Sequence, residues 1–231
     1  MEGKYPIAET ASLFAEPARV AILVALLDGR SLPASELAFR ASVSAQAASM
    51  HLGKLLGGRL VTVSRFGRHR YYSLAGPDVA AALEAMGTLC NALRPLQPPA
   101  DGSIVPIRMA RTCYDHLAGK VAVQICESLQ ERKLLAPVDD SVRVTPRGER
   151  WFEDLGIDLN SLRANRKRPL VRKCLDWTER KFHVAGTAGA ALLDLFRKRE
   201  WIKQEVGSRV VTITGNGRMA FKMHFGIMVK E

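Results

Sequence analysis

The chain has 231 residues, of which 47% are hydrophobic and 25% charged, so it can bury a core and is not disordered. No apolar run reaches the roughly 18 residues that a membrane-spanning helix needs, and the first residues lack the pattern of a signal peptide. Four scattered cysteines do not make a disulfide framework, so we expect a cytoplasmic protein with no membrane partner. The net charge of +11 favours polyanionic partners.

The first 76 residues predict two helices, a short third helix, a fourth helix and a hairpin. Pro17 suits the first turn of the second helix, and Gly29 follows its end. The fourth helix has Ala48, Leu52 and Leu55 at helical spacing, and a glycine pair ends it. The segment "LVTVSRFGRHRYYSL" alternates around a glycine turn, as a two-stranded hairpin does. This order of elements is that of a winged helix-turn-helix domain.

The fourth helix carries mostly small residues on its outer surface, and a basic hairpin follows it. Small side chains allow a helix to approach base edges closely in the major groove of DNA, which is about 12 Å wide. The basic hairpin then acts as the wing along the DNA backbone. The alternative for the helix is that Ala45 and Ala47 only satisfy helix propensity.

Residues 7 to 76 resemble the ArsR/SmtB family of bacterial repressors. The most specific matches are "LFAEPARVAILVALL", "SELA", "VSAQAASMHLGKL" and "GRLVTVSRFGRHRYYSL". The resemblance implies a cytosolic homodimer that represses transcription and releases DNA when an effector binds. Its two-fold symmetry predicts a palindromic operator.

The resemblance also assigns residues to the DNA interface. Gln46 can form a bidentate hydrogen bond to adenine, and the serines suit bases or phosphates. The histidine of the helix reads a base or donates to a phosphate at the edge of the core. The wing residues and the lysine are phosphate contacts. The predicted DNA-binding residues are Ser44, Gln46, Ser49, His51, Lys54, Arg65, Arg68, His69 and Arg70.

The metal sites that many ArsR/SmtB members use are absent from this sequence. The segment "SLPASELAFRAS" has no Cys or His, and the following long helix offers only Asp78 and Cys90. That helix instead carries an apolar stripe, which the resemblance places in the dimer interface. The stripe consists of Val79, Leu83, Met86, Cys90 and Leu93.

A proline-rich segment divides the chain. "LRPLQPPADGSIVP" has four prolines and one glycine in fourteen residues, a composition typical of a stiff linker. We therefore predict a DNA-binding and dimerisation domain over 1–94, a linker over 95–106 and an effector-sensing, dimer-supporting region over 107–231.

The region after the linker contains a weak internal duplication. "HLAGKVAVQICESLQERKLLAP" aligns with "HVAGTAGAALLDLFRKREWIKQ" sixty-seven residues later. Each copy, about 107–160 and 161–231, predicts a long helix, a hairpin and a further helix capped by Thr145 or Thr214. The fold class is thus mainly α with small β-hairpins (α+β): a winged helix-turn-helix followed by two winged-helix-like repeats.

The second copy includes a glycine pattern that can mark dinucleotide binding. Gly215, Gly217 and Ala220 fit G-x-G-x-x-A between a strand and a helix. The matching segment "TPRGERW" of the first copy lacks the pattern, and no βαβ context surrounds it. We therefore interpret the glycines as structural.

The duplicated region also carries thiol, imidazole and carboxylate side chains, the ligand set for zinc or a related soft divalent metal. Cys113 and His116, three residues apart, are expected on one helical face. The alternatives are a small organic effector between the copies with Trp177 and Tyr114 as an aromatic wall, a thiol redox switch, or histidines that only bond to backbone. The candidate effector or metal residues are Cys113, His116, Cys174, Asp176, Trp177 and His183.

These observations predict a sequence-specific DNA-binding transcriptional regulator, an effector-released homodimeric repressor and not an enzyme. The basic run from Arg163 to Lys173 either contacts phosphates or pairs with nearby carboxylates. The alternatives are an enzyme or general nucleic-acid-binding protein with an ancestral winged helix, and a metal or thiol-redox sensor that uses the cysteines and histidines.

Overall fold

The structure is a computed structural model that describes residues 6–27, 29–67, 69–93, 106–138, 141–164, 168–204 and 208–229. The chain divides into two compact units, Met1–Leu83 and Glu84–Glu231, here called the N-terminal and the C-terminal unit. Nearly all of the predicted linker, 95–106, lies outside the described residues, so the predicted domain boundaries stay a prediction. Among the described residues, no helix combines the length and apolarity required to cross a bilayer.

The N-terminal unit has the element order that the sequence predicts. Its three short strands form an antiparallel sheet in the order β1-β3-β2. Buried aliphatic side chains of α2, α3 and α4, among them Ile22, Leu37 and Leu52, form its core. The elements are α1 (Pro6–Phe14), α2 (Pro17–Ala25), β1 (Leu32–Pro33), α3 (Ala34–Arg40), α4 (Ala45–Gly57), β2 (Val61–Phe66), β3 (His69–Leu74) and α5 (Pro77–Leu93), which continues into the C-terminal unit.

The C-terminal unit shows the order hairpin, helix, hairpin, helix twice. Every hairpin is antiparallel and two-stranded. The first set is α6 (Pro106–Met109), β4 (Arg111–Cys113), β5 (His116–Ala118), α7 (Lys120–Glu131), β6 (Leu135–Val138), β7 (Ser141–Val144), α8 (Pro146–Asp154) and α9 (Leu159–Arg163). The second set is β8 (Arg172–Leu175), β9 (Phe182–Ala185), α10 (Gly186–Lys198), β10 (Ile202–Gln204), β11 (Val211–Ile213) and α11 (Gly215–Phe225).

Both halves of the C-terminal unit contribute to one aromatic core. Phe196 contacts Phe221 edge-on with ring centroids 5.1 Å apart, and it stacks on Trp201 at 5.5 Å. Phe152 of the first half is fully buried in the same cluster. The two halves therefore fold around a shared core, although their likeness to winged helices stays a prediction.

The predicted caps and the glycine pattern have matching structural explanations in the two halves. The Oγ1 atoms of Thr145 and Thr214 accept hydrogen bonds from the N–H groups of Gly148 and Gly217 at 3.0 and 2.9 Å. A Cβ atom on either glycine would collide with a backbone carbonyl oxygen, of Leu134 in the first half and of Trp201 in the second. Gly217 therefore serves close packing of a helix N-terminus on an antiparallel hairpin, as the sequence interpretation expects.

Candidate DNA interface and candidate metal centre

Helix α4 presents a polar, largely small-residue surface to solvent. The Oγ atom of Ser44 caps the helix by accepting a hydrogen bond from the N–H of Ala47 at 3.2 Å. Gln46, Ser49 and Lys54 are exposed along the helix. These three predicted DNA contacts are thus accessible to a ligand in the described conformation.

His51 differs from the other predicted residues of α4. Its side chain is only 8% exposed, and its Nδ1 atom has no hydrogen-bond partner. It belongs to the inward-facing side of α4 together with Ala48, Leu52 and Leu55. This burial agrees with the second interpretation, in which His51 lies at the edge of the core; its contact with DNA stays a prediction.

The wing concentrates positive charge on two adjacent strands. Arg65 of β2 pairs directly with Arg70 of β3, and Phe66 pairs with His69 next to the turn. All four side chains are exposed, Phe66 by 81%. Arg68 lies outside the described residues. Like charges placed opposite each other destabilise a hairpin unless an anion neutralises them, so the arrangement suits a phosphate backbone.

Two exposed apolar side chains near these residues were not predicted. Met50 on α4 is 53% exposed, and Phe66 is at the wing tip. Apolar side chains can contact thymine methyl groups or insert into the minor groove. The sequence contained a signal for both contacts: Met50 is a large apolar residue on the polar side of α4, and Phe66 is one beside the turn glycine of the hairpin.

In the C-terminal unit, two hairpins bring together four of the predicted effector residues: Cys113, His116, Cys174 and His183. We call these four side chains the thiol–imidazole cluster. All four are buried, and their nitrogen and sulfur atoms lie within 4.8 Å of one another. The two Sγ atoms are 3.9 Å apart, and the two histidine Nε2 atoms are 3.1 Å apart.

The expectation that Cys113 and His116 share a helical face is wrong. They face each other across the β4–β5 hairpin, whose connecting residues are Tyr114 and Asp115. Cys174 and His183 are partners in the same way across β8–β9, although nine residues separate them. Each hairpin therefore supplies one thiol and one imidazole.

A carboxylate lies behind each histidine of the cluster. Asp115 Oδ1 is 3.3 Å from His116 Nδ1, and Asp176 Oδ2 is 3.6 Å from His183 Nδ1. Both aspartates follow a cluster cysteine by two residues, in the segments "CYD" and "CLD". This repeated Cys-x-Asp spacing is the signal that identifies Asp115, which completes the arrangement.

Asp176 also belongs to a buried charge network that the sequence analysis missed. Arg111 is fully buried and donates to Asp176 at 3.0 Å and to Glu84 of α5 at 3.2 Å. Arg209 donates to the other oxygen of Glu84 at 2.5 Å. Trp177, predicted as part of an aromatic wall, lies against the Arg111 guanidinium at 5.1 Å. The fully buried Arg111 and the partly buried Arg209 thus balance two buried carboxylates.

The environment sets unequal pKa values within the cluster. The hydrogen bond shared with Cys113 lowers the pKa of the Cys174 thiol, while the same bond and burial raise the pKa of Cys113. Burial lowers the pKa of His116, but its hydrogen bonds to Asp115 and Cys174 outweigh this effect and raise it overall. The cluster therefore favours one thiolate, the form in which cysteine binds metals and reacts.

Part of the predicted basic run pairs with carboxylates. Arg168 donates to Asp115 at 2.6 Å, and Arg163 donates to Glu149 at 2.5 Å. Residues 165–167 lie outside the described part of the chain. For Arg163 and Arg168, ion pairing within the C-terminal unit is the observed role.

The comparisons with known proteins agree with the geometry of the N-terminal unit. A family model described as "Helix-turn-helix domain" matches residues 14–64. The chain is 41% identical over 223 residues to the Bacillus subtilis (strain 168) protein named "Uncharacterized HTH-type transcriptional regulator YdfF", and the match covers 96% of this chain and 98% of that protein. The chain therefore belongs to the HTH-type transcriptional regulators, which confirms the predicted DNA-binding function.

Two solved structures are similar to part of the chain. One is Rv0081 of M. tuberculosis, 32% identical, with a TM-score of 0.35 over 38% of this chain and 88% of that one. The other is a homodimeric winged helix-turn-helix fragment of Mb0332 from Mycobacterium bovis, described as a possible ArsR-family transcriptional regulator. It is 26% identical, with a TM-score of 0.36 over 40% of this chain and 94% of that one.

Proposed function

We propose that this regulator is a homodimeric repressor that binds a palindromic operator and is released when an effector binds its C-terminal unit. One observation carries the proposal: the N-terminal unit has both a capped α4 with an exposed polar surface and a wing on which Arg65 lies opposite Arg70. Base-reading residues beside phosphate-binding residues are what specific recognition requires. The proposal assigns no catalytic step to the chain.

Exposed apolar side chains support the homodimer. Ile7 of α1, Val24 of α2 and Leu89 of α5 are 73%, 39% and 59% exposed and are available to an interface. Within the predicted stripe of α5, Leu83 is buried inside the chain, Cys90 is exposed and the side chain of Leu93 lies outside the described residues. A two-fold dimer would set the recognition helices about 34 Å apart, which matches successive major grooves.

Release by an effector requires only a modest free-energy difference. If the effector binds the non-DNA-binding conformation more tightly by a few kcal/mol, the population of the DNA-binding conformation falls by orders of magnitude. The C-terminal unit offers a concentration of buried thiols, imidazoles and charges, which is the feature of the molecule best suited to sense a ligand.

The test is fluorescence anisotropy with DNA from upstream of the protein's own gene. The reduced protein should prefer this DNA over a scrambled duplex by about a thousandfold at the same salt concentration. Gln46→Ala should relax the preference at one base pair and cost about 1–3 kcal/mol, because it removes a base contact. Gln130→Ala on α7 is the control and should leave binding unchanged.

The outcomes separate the candidate functions. Weak, equal and strongly salt-dependent binding to both duplexes would indicate a general nucleic-acid binder. An unchanged operator preference in Gln46→Ala would exclude base reading by that residue. Loss of binding in Gln130→Ala as well would point to a folding defect.

A further inference from the structure

We propose that the thiol–imidazole cluster is a metal site that binds one Zn²⁺ or another soft divalent ion tetrahedrally. The ligands are Cys113, His116, Cys174 and His183. The inference deepens the proposed function, on which its regulatory meaning rests, by naming the class of ligand that the C-terminal unit takes. Metal binding itself is measurable without DNA.

The distances between the donor atoms fit a tetrahedral ion. With Zn–N bonds of about 2.0–2.1 Å and Zn–S bonds of about 2.3 Å, tetrahedral angles place two nitrogens about 3.3 Å apart and two sulfurs about 3.8 Å apart. The observed separations are 3.1 Å between the histidine Nε2 atoms and 3.9 Å between the Sγ atoms. A space bounded by four donors within 4.8 Å holds one ion, not an organic molecule.

The arrangement of the two histidines also suits a cation. Asp115 lies 3.3 Å from Nδ1 of His116 and Asp176 lies 3.6 Å from Nδ1 of His183, so each Nδ1 faces a carboxylate. A proton on each Nδ1 is the pair of tautomers that leaves both Nε2 atoms available to an ion. Both Nε2 atoms then direct lone pairs at each other across 3.1 Å, which is repulsive. Without an ion, this repulsion is relieved when one ring also carries a proton on Nε2, as a protonated His116 would. An ion bound by both Nε2 atoms removes this conflict.

The charge balance favours a divalent ion with two thiolates. Arg111 and Arg209 already neutralise Glu84 and Asp176 in the adjoining network. Two cysteine thiolates and one divalent ion add no net charge to this buried region, so the desolvation cost is low. Soft sulfur ligands with imidazoles favour zinc-like ions over Mg²⁺ or Ca²⁺.

The position of the site gives the ion a connecting role. One ligand pair comes from β4–β5 and the other from β8–β9, so the ion would link the two halves of the C-terminal unit. All four ligands come from the protein, as in closed sites that hold structure rather than catalyse. A chain of contacts runs from His183 through Asp176 and Arg111 to Glu84 on α5.

The experiment is a Co²⁺ titration of the full-length, reduced, metal-stripped protein. Tetrahedral Co²⁺ with thiolate ligands gives strong visible absorption and sulfur-to-metal charge transfer, and we expect these to saturate at one ion per chain and to disappear on Zn²⁺ addition. Cys174→Ala removes one of the two sulfur ligands, so it should lose about half of the charge-transfer intensity and weaken binding at least tenfold. Cys126→Ala, which removes a buried thiol outside the cluster, should retain both.

A milder variant keeps the test informative if Cys174→Ala does not fold. Asp115→Asn changes a half-buried carboxylate behind His116, and it should keep the tetrahedral spectrum while losing roughly 10–100-fold in affinity. Circular dichroism checks the fold of each variant. Absence of tetrahedral Co²⁺ absorption in the unmodified protein, or full charge-transfer intensity with unchanged affinity in folded Cys174→Ala, would overturn the site.

Failure of this inference is distinguishable from failure of the proposed function. Operator preference without any metal binding would overturn the metal site and leave the repressor proposal intact. Tetrahedral metal binding by a protein that lacks sequence preference would support the site and overturn the repressor proposal.

Discussion

Ser44 has a structural role in addition to the DNA contact predicted for it. Its Oγ accepts the N–H of Ala47 and caps α4, while its hydroxyl hydrogen can still be donated to a phosphate. Ser49, exposed later on the same helix, has no capping position. Both serines are predicted DNA contacts, but only Ser44 also stabilises the fold through a helix cap.

Substitution of the two serines separates these roles. Ser44→Ala should lower the free energy of unfolding by about 1 kcal/mol, because α4 loses its N-cap. Ser49→Ala should change it by less than about 0.5 kcal/mol, because alanine is the better helix former. Urea denaturation followed by circular dichroism measures both. Equal stability of the two variants would show that the cap contributes nothing.

Among the elements, three hairpins place the candidate phosphate-binding and metal-binding side chains opposite each other. The wing hairpin holds Arg65 opposite Arg70, and two hairpins of the C-terminal unit each hold a cysteine opposite a histidine. In each case the cross-strand register, rather than the strand sequence alone, sets which side chains meet. A slip of one residue would turn these side chains to the opposite face.

The wing gives an element-scale prediction for DNA binding. The double variant Arg65→Ala/Arg70→Ala should weaken operator and random DNA by similar factors, and it should reduce the slope of log affinity against log salt by about 2. It should also relieve repulsion within the hairpin, so its stability should not fall. Arg143→Ala, which removes one exposed positive charge of β7 outside the wing, is the control. A loss confined to one operator base pair would indicate base reading instead.

At the scale of the whole molecule, α5 is the element that belongs to both units. It begins at Pro77 in the N-terminal unit, and its Glu84 accepts hydrogen bonds from Arg111 and Arg209 in the C-terminal unit. A ligand that alters the network around Asp176 therefore acts on groups bonded directly to this helix. We expect metal and operator binding to be energetically coupled.

Coupling of this kind is reciprocal. If Zn²⁺ lowers operator affinity by a factor between about 5 and 150, operator DNA must lower Zn²⁺ affinity by the same factor. Anisotropy with and without Zn²⁺, and competition against a Zn²⁺ indicator with and without operator, measure the two factors. In Cys174→Ala, Zn²⁺ should leave operator affinity unchanged. Factors of one in both titrations would exclude the metal as the effector.

Residue spacing explains why the cluster was only partly predictable. Cys113 and His116 are three apart, a distance that fits one helical face as well as a two-residue hairpin connection. Cys174 and His183 are nine apart, which fits the hairpin but not neighbouring positions of one helical face. Comparison of the two spacings would have favoured hairpins. The strands of these hairpins have only three or four residues, which is too short to show a clear alternation of apolar and polar residues.

The N-terminal unit and its DNA-binding function were predictable from local signals, because helical periodicity, caps and the turn glycine act within a few residues. The tertiary structure alone decided that His51 faces the core and that Arg111 joins Glu84 to Asp176. It also decided the cluster, whose members meet across 61 and 67 residues of chain. Such contacts depend on how two hairpins pack around a shared core, and no local pattern specifies that packing.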